Sequence, residues 1–143
     1  MALNTSVKFA SLQEGQQLES LTKPPVTKVQ LVKYAGASGD FNPLHTDDAF
    51  AQKMGMDGVI AHGMLVMGFL GEYVMELAGN SAELSHFQMR FGSVTKPGDH
   101  ITCSSVVSKV FEKAGDHYIA LDLQAEKASG KVVGTGKATL RVF

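Results

Sequence analysis

Cysteine is nearly absent from this chain: Cys103 is the only one in 143 residues. No internal disulfide can form, which fits a reducing, cytoplasmic setting, and one thiolate cannot build a cysteine-based zinc site. An excess of one charge is lacking as well. The formal net charge is -1 and the lysines and arginines are scattered, so nothing points to nucleic acid as a partner. No uninterrupted apolar run reaches the ~20 residues of a membrane span. The N-terminal Met1-Ala2-Leu3-Asn4-Thr5-Ser6-Val7-Lys8 has no long apolar stretch, so a signal peptide is not expected. Repeats and low-complexity tracts are missing too. A chain of this length with 44% hydrophobic residues can bury a real core, and one domain over 1–143 is expected.

What is present changes period along the chain. Glu14-Gly15 reads as a turn, followed by a short extended piece from Gln17 to Lys23 that Pro24-Pro25 ends. Thr27 is a candidate cap for a helix from Lys28 to about Ala37, with a stripe of Val29, Leu31, Val32, Tyr34 and Ala35. Thr46 or Asp47 can cap a short helix through Phe50 and Met54, closed by Gly55. From Met64 to Leu77 the apolar positions run nearly all the way round, interrupted only by Glu72 and Glu76, so a buried helix is expected. Gly68 and Gly71 within it suggest close backbone packing against a sheet, and Gly79-Asn80 is the stop signal.

The second half alternates. Phe87, Met89 and Phe91, then Ile119, Leu121, Leu123 and Ala125, then the even positions from Val132 to Val142 read as half-buried strands. Ile101 to Phe111 is a fourth strand with weaker alternation. Turns fall at Pro97-Gly98-Asp99, Ala114-Gly115-Asp116 and Ser129-Gly130. One greasy helix ahead of one antiparallel sheet predicts an α+β fold with the helix on the sheet's apolar face.

The chemistry concentrates between Tyr34 and Gly63. Asp40 and His45 flank Pro43, which removes an N–H and pushes Asn42 out of helical geometry, so the pair sits on a curled loop. A carboxylate and an imidazole that share a water supply a proton acceptor and a proton carrier near neutral pH. Ser38 and Asn42 can bond locally and hold the loop, and Gly36 and Gly39 give it conformational latitude. The plainer reading is an Asx-type turn with a surface histidine. Gly63 opens the long helix, where free N–H groups and the dipole favour a developing negative oxygen; the alternative is a plain lead-in turn. His62 could touch substrate or be a hydrogen-bonded structural histidine.

The string Tyr34-x-x-x-Ser38-Gly39-Asp40-Phe41-Asn42-Pro43-Leu44-His45, followed by Ala61-His62-Gly63-Met64 and by Phe91-x-x-x-x-Lys96-Pro97-Gly98-Asp99, resembles the MaoC-like, or R-specific enoyl-thioester hydratase, family. The similarity covers most of the chain from about Gly15 onward. It implies a hot-dog fold, a long central helix wrapped by an antiparallel sheet. It also implies hydration of a trans-2-enoyl thioester to a (3R)-3-hydroxyacyl thioester, or the reverse, in fatty-acid metabolism. The family's catalytic pair maps onto Asp40 and His45 and its oxyanion-hole N–H onto Gly63; Gly71 stands where some members carry a pocket serine. Met64, Met67 and Phe69 are candidates for the apolar lining. The implied ligand is an acyl thioester of coenzyme A or acyl carrier protein. The implied partner is a second copy or a related hot-dog chain, without nucleic acid or membrane. No cofactor or metal is called for, because the substrate's own carbonyl is the electron sink. Other readings are an acyl-binding or partner subunit, a thioesterase, and a metal hydrolase on Asp40, His45 and His62, whose spacing offers no geometric support.

Overall fold

Helix α3 (Gly63–Ala78) is the axis of the fold, and its buried side is Leu65, Val66, Phe69, Leu70, Tyr73, Val74, Leu77 and Ala78. The computed structural model describes Leu3 and residues 6–143. The reading of the N-terminus as free of a signal peptide also draws on residues 1, 2, 4 and 5, which lie outside the described residues. Around α3 curls a five-stranded antiparallel sheet of β1 (Leu21–Thr22), β2 (Ala82–Phe91), β3 (Ile101–Lys113), β4 (Asp116–Lys127) and β5 (Val132–Val142). Its order is β1-β3-β4-β5-β2. This is the hot-dog fold, and the α+β class expected from the patterning.

The inward residues of the sheet follow period two. Ile119, Leu121, Leu123 and Ala125 are all buried, as the alternation predicts. On β3, Ile101, Cys103, Ser105 and Val107 point inward, and then a bulge between Val107 and Lys109 shifts the phase. That bulge is why the alternation of β3 looks weak in sequence. The extended piece before Pro24 is shorter than expected: only Leu21 and Thr22 form a strand, with an isolated bridge from Gln17 to Val106.

Helix α3 meets β2 through glycines. A Cβ on Gly63 would lie 3.0 Å from the Phe91 ring, and one on Gly71 would lie 3.5 Å from the Phe87 ring. The two contacts stay in step because eight helical residues rise about 12 Å and four strand residues about 13 Å. Gly68 differs from the expectation of tight packing, since nothing among the described residues lies within 4 Å of its Cβ position. The helix is also less enclosed than its composition suggests. Met64 and Met75 are 54% and 49% exposed, on the same side as Gly68 and Glu72. The two glutamates that interrupt the run are occupied at the rim: Glu72 pairs with Lys23 at 2.6 Å and Glu76 accepts from the Leu3 N–H at 3.0 Å.

Two short helices bring the chain to the site. In α1 (Lys28–Ser38) Thr27 caps as predicted, its hydroxyl accepting from the Gln30 N–H. The buried stripe is Leu31 and Ala35; Val29 and Val32, which the sequence included in it, are outside, 64% and 58% exposed. Helix α2 (Asp48–Lys53) is capped by Asp47, whose carboxylate accepts from the N–H groups of Ala49 and Phe50. Asp48 then ties three segments together by accepting from the Val59 N–H and from the Lys28 ammonium. The Lys28 hydrogen bond, helped by that of Val59, holds the Asp48 carboxyl below its usual value.

Candidate active site

The loop after α1 is held by a relay of side chain to backbone bonds two residues apart. Ser38 Oγ accepts from the Asp40 N–H, Asp40 Oδ1 from the Asn42 N–H, and Asn42 Oδ1 from the Leu44 N–H, at 3.2, 3.2 and 3.0 Å. Asx and Ser turns of this kind are what serine, aspartate and asparagine favour outside helices. Ser38 and Asn42 therefore shape the loop. The relay turns the chain into a single 3-10 turn, Pro43–His45, which carries His45 back toward Asp40.

His45 is fixed by a bond from Nδ1 to the Ile60 carbonyl at 2.7 Å. A carbonyl only accepts, so Nδ1 carries a hydrogen, and in the neutral ring Nε2 presents the lone pair. That Nε2 lies 3.8 Å from Asp40 Oδ2. The gap is too long for a direct hydrogen bond and suits one water held by both acceptors. The two side chains differ in exposure: 11% for His45 and 54% for Asp40. The imidazole is sheltered while the carboxylate stays wet.

Helix α3, β2 and β5 meet beside His45. Gly63 begins α3, where its N–H has no intrahelical acceptor and no side chain caps the helix. The Phe91 ring lies against Gly63 from β2. A cavity of about 180 Å³ runs between them, lined by His45, Ile60, Gly63, Val66, Phe91 and Val133. An apolar cavity of about 150 Å³ is enough for benzene, so this one is large enough for a small apolar group. Larger depressions, of about 330, 420, 300 and 220 Å³, lie elsewhere on the molecule, and none of them is lined by Asp40, His45 or Gly63.

None of the apolar candidates Met64, Met67 and Phe69 lines this cavity; their neighbour Val66, not singled out from the sequence, does. Met64 is turned outward, Met67 is half-buried outside the lining, and Phe69 is in the core beneath the Lys23 ammonium. Phe91, Val133 and Ile60 were not singled out as site residues from the sequence. Phe91 stood in the quoted motif, but strand periodicity gives no hint that its ring reaches the start of a helix.

His62 is 2% exposed and stacks on His45, with ring centroids 3.7 Å apart and planes 22° from parallel. Its Nε2 is 3.1 Å from the Asp40 carbonyl oxygen, and it meets Tyr34 in a T-shaped contact with ring centroids 4.8 Å apart. Asp40, His45 and His62 offer ligand atoms that all lie within 4.8 Å of one another. The structure thus brings the three together, which their spacing did not suggest. Each ring uses one nitrogen on a carbonyl, which leaves His45 Nε2, His62 Nδ1 and the Asp40 carboxylate as the remaining polar atoms of the cluster.

The sequence profile of the MaoC like domain matches residues 9–127. The (R)-specific enoyl-CoA hydratase of Rhodospirillum rubrum is 32% identical over 136 residues, covering 94% of this chain and 90% of the relative. That of Aeromonas caviae is 30% identical over 134 residues, covering 90% and 98%. The solved structure of the Aeromonas caviae (R)-hydratase superposes with a TM-score of 0.82 at 26% identity, covering 93% of this chain and 98% of that one. The unliganded R-hydratase PhaJ1 of Pseudomonas aeruginosa gives 0.84 at 25% identity, covering 96% and 86%. With the profile spanning most of the chain and both hydratases aligned nearly end to end, this protein belongs to the MaoC-like family.

Proposed function

We propose that this chain catalyses reversible hydration of trans-2-enoyl-CoA thioesters to (3R)-3-hydroxyacyl-CoA thioesters, as a step of fatty-acid metabolism. The observation that carries the reading is the pair of bare acceptors, His45 Nε2 and Asp40 Oδ2, 3.8 Å apart beside a small apolar cavity that reaches Gly63. A water between the two acceptors has both protons engaged and a lone pair free for C3 of the enoyl group. Attack at C3 pushes electrons onto the thioester oxygen, and the Gly63 N–H at the positive end of α3 stabilises that charge. One member of the pair takes the water proton, and a proton returns to C2 from the same side, so the addition is syn. In the dehydration direction the same groups exchange roles. The acyl tail lies against Val66, Phe91 and Val133.

The active unit is a dimer. β2 offers a ten-residue edge paired on one side only, whereas the opposite edge, β1, has two residues. A long unpaired edge beside the exposed Met64 and Met75 of α3 is a surface that proteins cover. A second copy is the simplest partner, and a related hot-dog chain fits the same edge. Sedimentation equilibrium tests this, and a fully active monomer overturns it.

The assay of the reaction is hydration of trans-2-butenoyl-CoA, followed by loss of enoyl absorbance with chiral analysis of the product. The (3R)-hydroxy thioester is expected. Absence of hydration on either coenzyme A or acyl carrier protein substrates, or a (3S) product, overturns the reading.

A further inference from the structure

We infer that His62 is the positioning residue of this site: it sets Asp40, His45 and the Gly63 N–H relative to one another without touching substrate, an inference that rests on the hydratase reading. Its ring stacks on His45 at 3.7 Å. Its Nε2–H donates to the main-chain carbonyl of Asp40 at 3.1 Å, the one polarity a carbonyl allows. Its own peptide carbonyl leads into Gly63, the first residue of α3, and accepts the Leu65 N–H at 3.1 Å. One residue thus touches the carboxylate's backbone, the imidazole's face and the start of the helix.

With only 2% of its surface exposed, His62 is kept from the substrate. Stability alone does not account for a histidine here. The bare Nδ1 is buried with no hydrogen-bond partner among the described residues, a feature that an apolar ring of similar size would avoid. What an apolar ring could not supply is the N–H that holds the Asp40 carbonyl. The His62 ring also meets Tyr34 in a T-shaped contact, with centroids 4.8 Å apart and planes at 66°. His45 is likewise held on two sides, by Ile60 at Nδ1 and by the His62 face. With His62 gone, His45 keeps one bond and is free to tilt about it.

Two substitutions separate the contacts. His62→Gln keeps an N–H for Asp40 and removes the ring face; His62→Phe keeps the face and removes the N–H. In each folded variant, kcat on trans-2-butenoyl-CoA is expected to fall about 10²-fold, the scale of a small misplacement of reacting groups, while KM changes by less than about threefold. Adding His62→Gln to Asp40→Asn is expected to cause little further loss, since both act through one water. Independently of turnover, the His45 ring proton resonances are expected to move in His62→Gln and to hold in His62→Phe. Wild-type kcat per folded molecule, fully additive losses, or a raised KM with kcat intact overturns the inference. If wild type hydrates no enoyl thioester, the hydratase reading fails instead, and the resonances decide the inference alone: His45 unmoved in His62→Gln overturns it. Should His62→Gln not fold, His62→Phe decides through its kcat against its melting curve.

Discussion

At the C-terminal half of α3, Tyr73 is fully buried and its hydroxyl donates to the Glu19 carbonyl at 2.8 Å while accepting from Ser105 Oγ at 2.8 Å. At the N-terminal end of the same helix, His62 is equally buried, yet one ring nitrogen has no partner among the described residues and the ring lies on another titratable ring. Tyr73 joins the segment before β1 to β3 and is surrounded by core. His62 joins a loop, a second imidazole and a helix start. The two positions share burial and polarity and differ in completion. A buried polar group with every bond made rigidifies a fold, whereas one left partly unmade marks where a structure is arranged for something other than stability.

The largest expected effects fall at the N-terminal end. Asp40→Asn keeps shape and removes the proton acceptor, so turnover of butenoyl-CoA should drop by roughly 10²–10⁴-fold, with His45→Gln similar and the double variant far short of the product. Melting temperatures should stay near wild type, because the Asp40 side chain is half exposed. A wild-type rate in either single variant would remove the pair from the mechanism.

Gly63→Ala comes next. Its Cβ would lie 3.0 Å from the Phe91 ring, so ring and helix start must separate. A loss of about 10²-fold in kcat/KM is expected, and Phe91→Ala in the same chain should recover most of it. No recovery would mean that the helix start itself had moved.

A smaller effect separates cavity from core. Val133→Leu should lower kcat/KM for hexenoyl-CoA by about 10-fold relative to butenoyl-CoA, the scale of a methylene too many in an apolar pocket. Bulky changes at Met64, outside the cavity, should leave the ratio unchanged; the opposite pattern in a chain-length series would relocate the tail.

The C-terminal end should respond in stability alone. Tyr73→Phe leaves the Glu19 carbonyl and Ser105 hydroxyl without the phenol. Denaturant titration should show a loss of about 1–3 kcal/mol, with kcat per folded molecule intact. Burial pushes the Tyr73 phenol from 10.0 up to about 12, against the pull of Ser105, and burial pushes the Cys103 thiol from 9.0 up to about 12. Both folded values lie above the unfolded ones. The stability these groups contribute is complete below pH 9 and is lost as pH rises toward 12. Thermal melts across that window should fall less steeply in Tyr73→Phe than in wild type.

Much of this protein was decided locally and was legible as such. Thr27 and Asp47 cap their helices because a side-chain oxygen meets an N–H two or three residues on. Ser38, Asp40 and Asn42 fold their loop by the same reach. The alternation from Ile119 to Ala125 needs only the pleat. Asp40, His45 and Gly63 could be named from the motif, and the structure brings His45 and Gly63 to one cavity with Asp40 beside His45.

Contacts across long separations were not legible, because periodicity carries phase but not partner. It could not say that Val29 and Val32 would face outward while Leu31 and Ala35 turned in. Nor could it say that Gly71 would meet an aromatic ring and Gly68 open space. The stacking of His45 on His62, the seat of Phe91 over Gly63, and the choice of Val66 over Met64 as lining depend on the pitch of α3 against the twist of β2. Only the assembled sheet and helix set that geometry, since it arises from packing many residues at once.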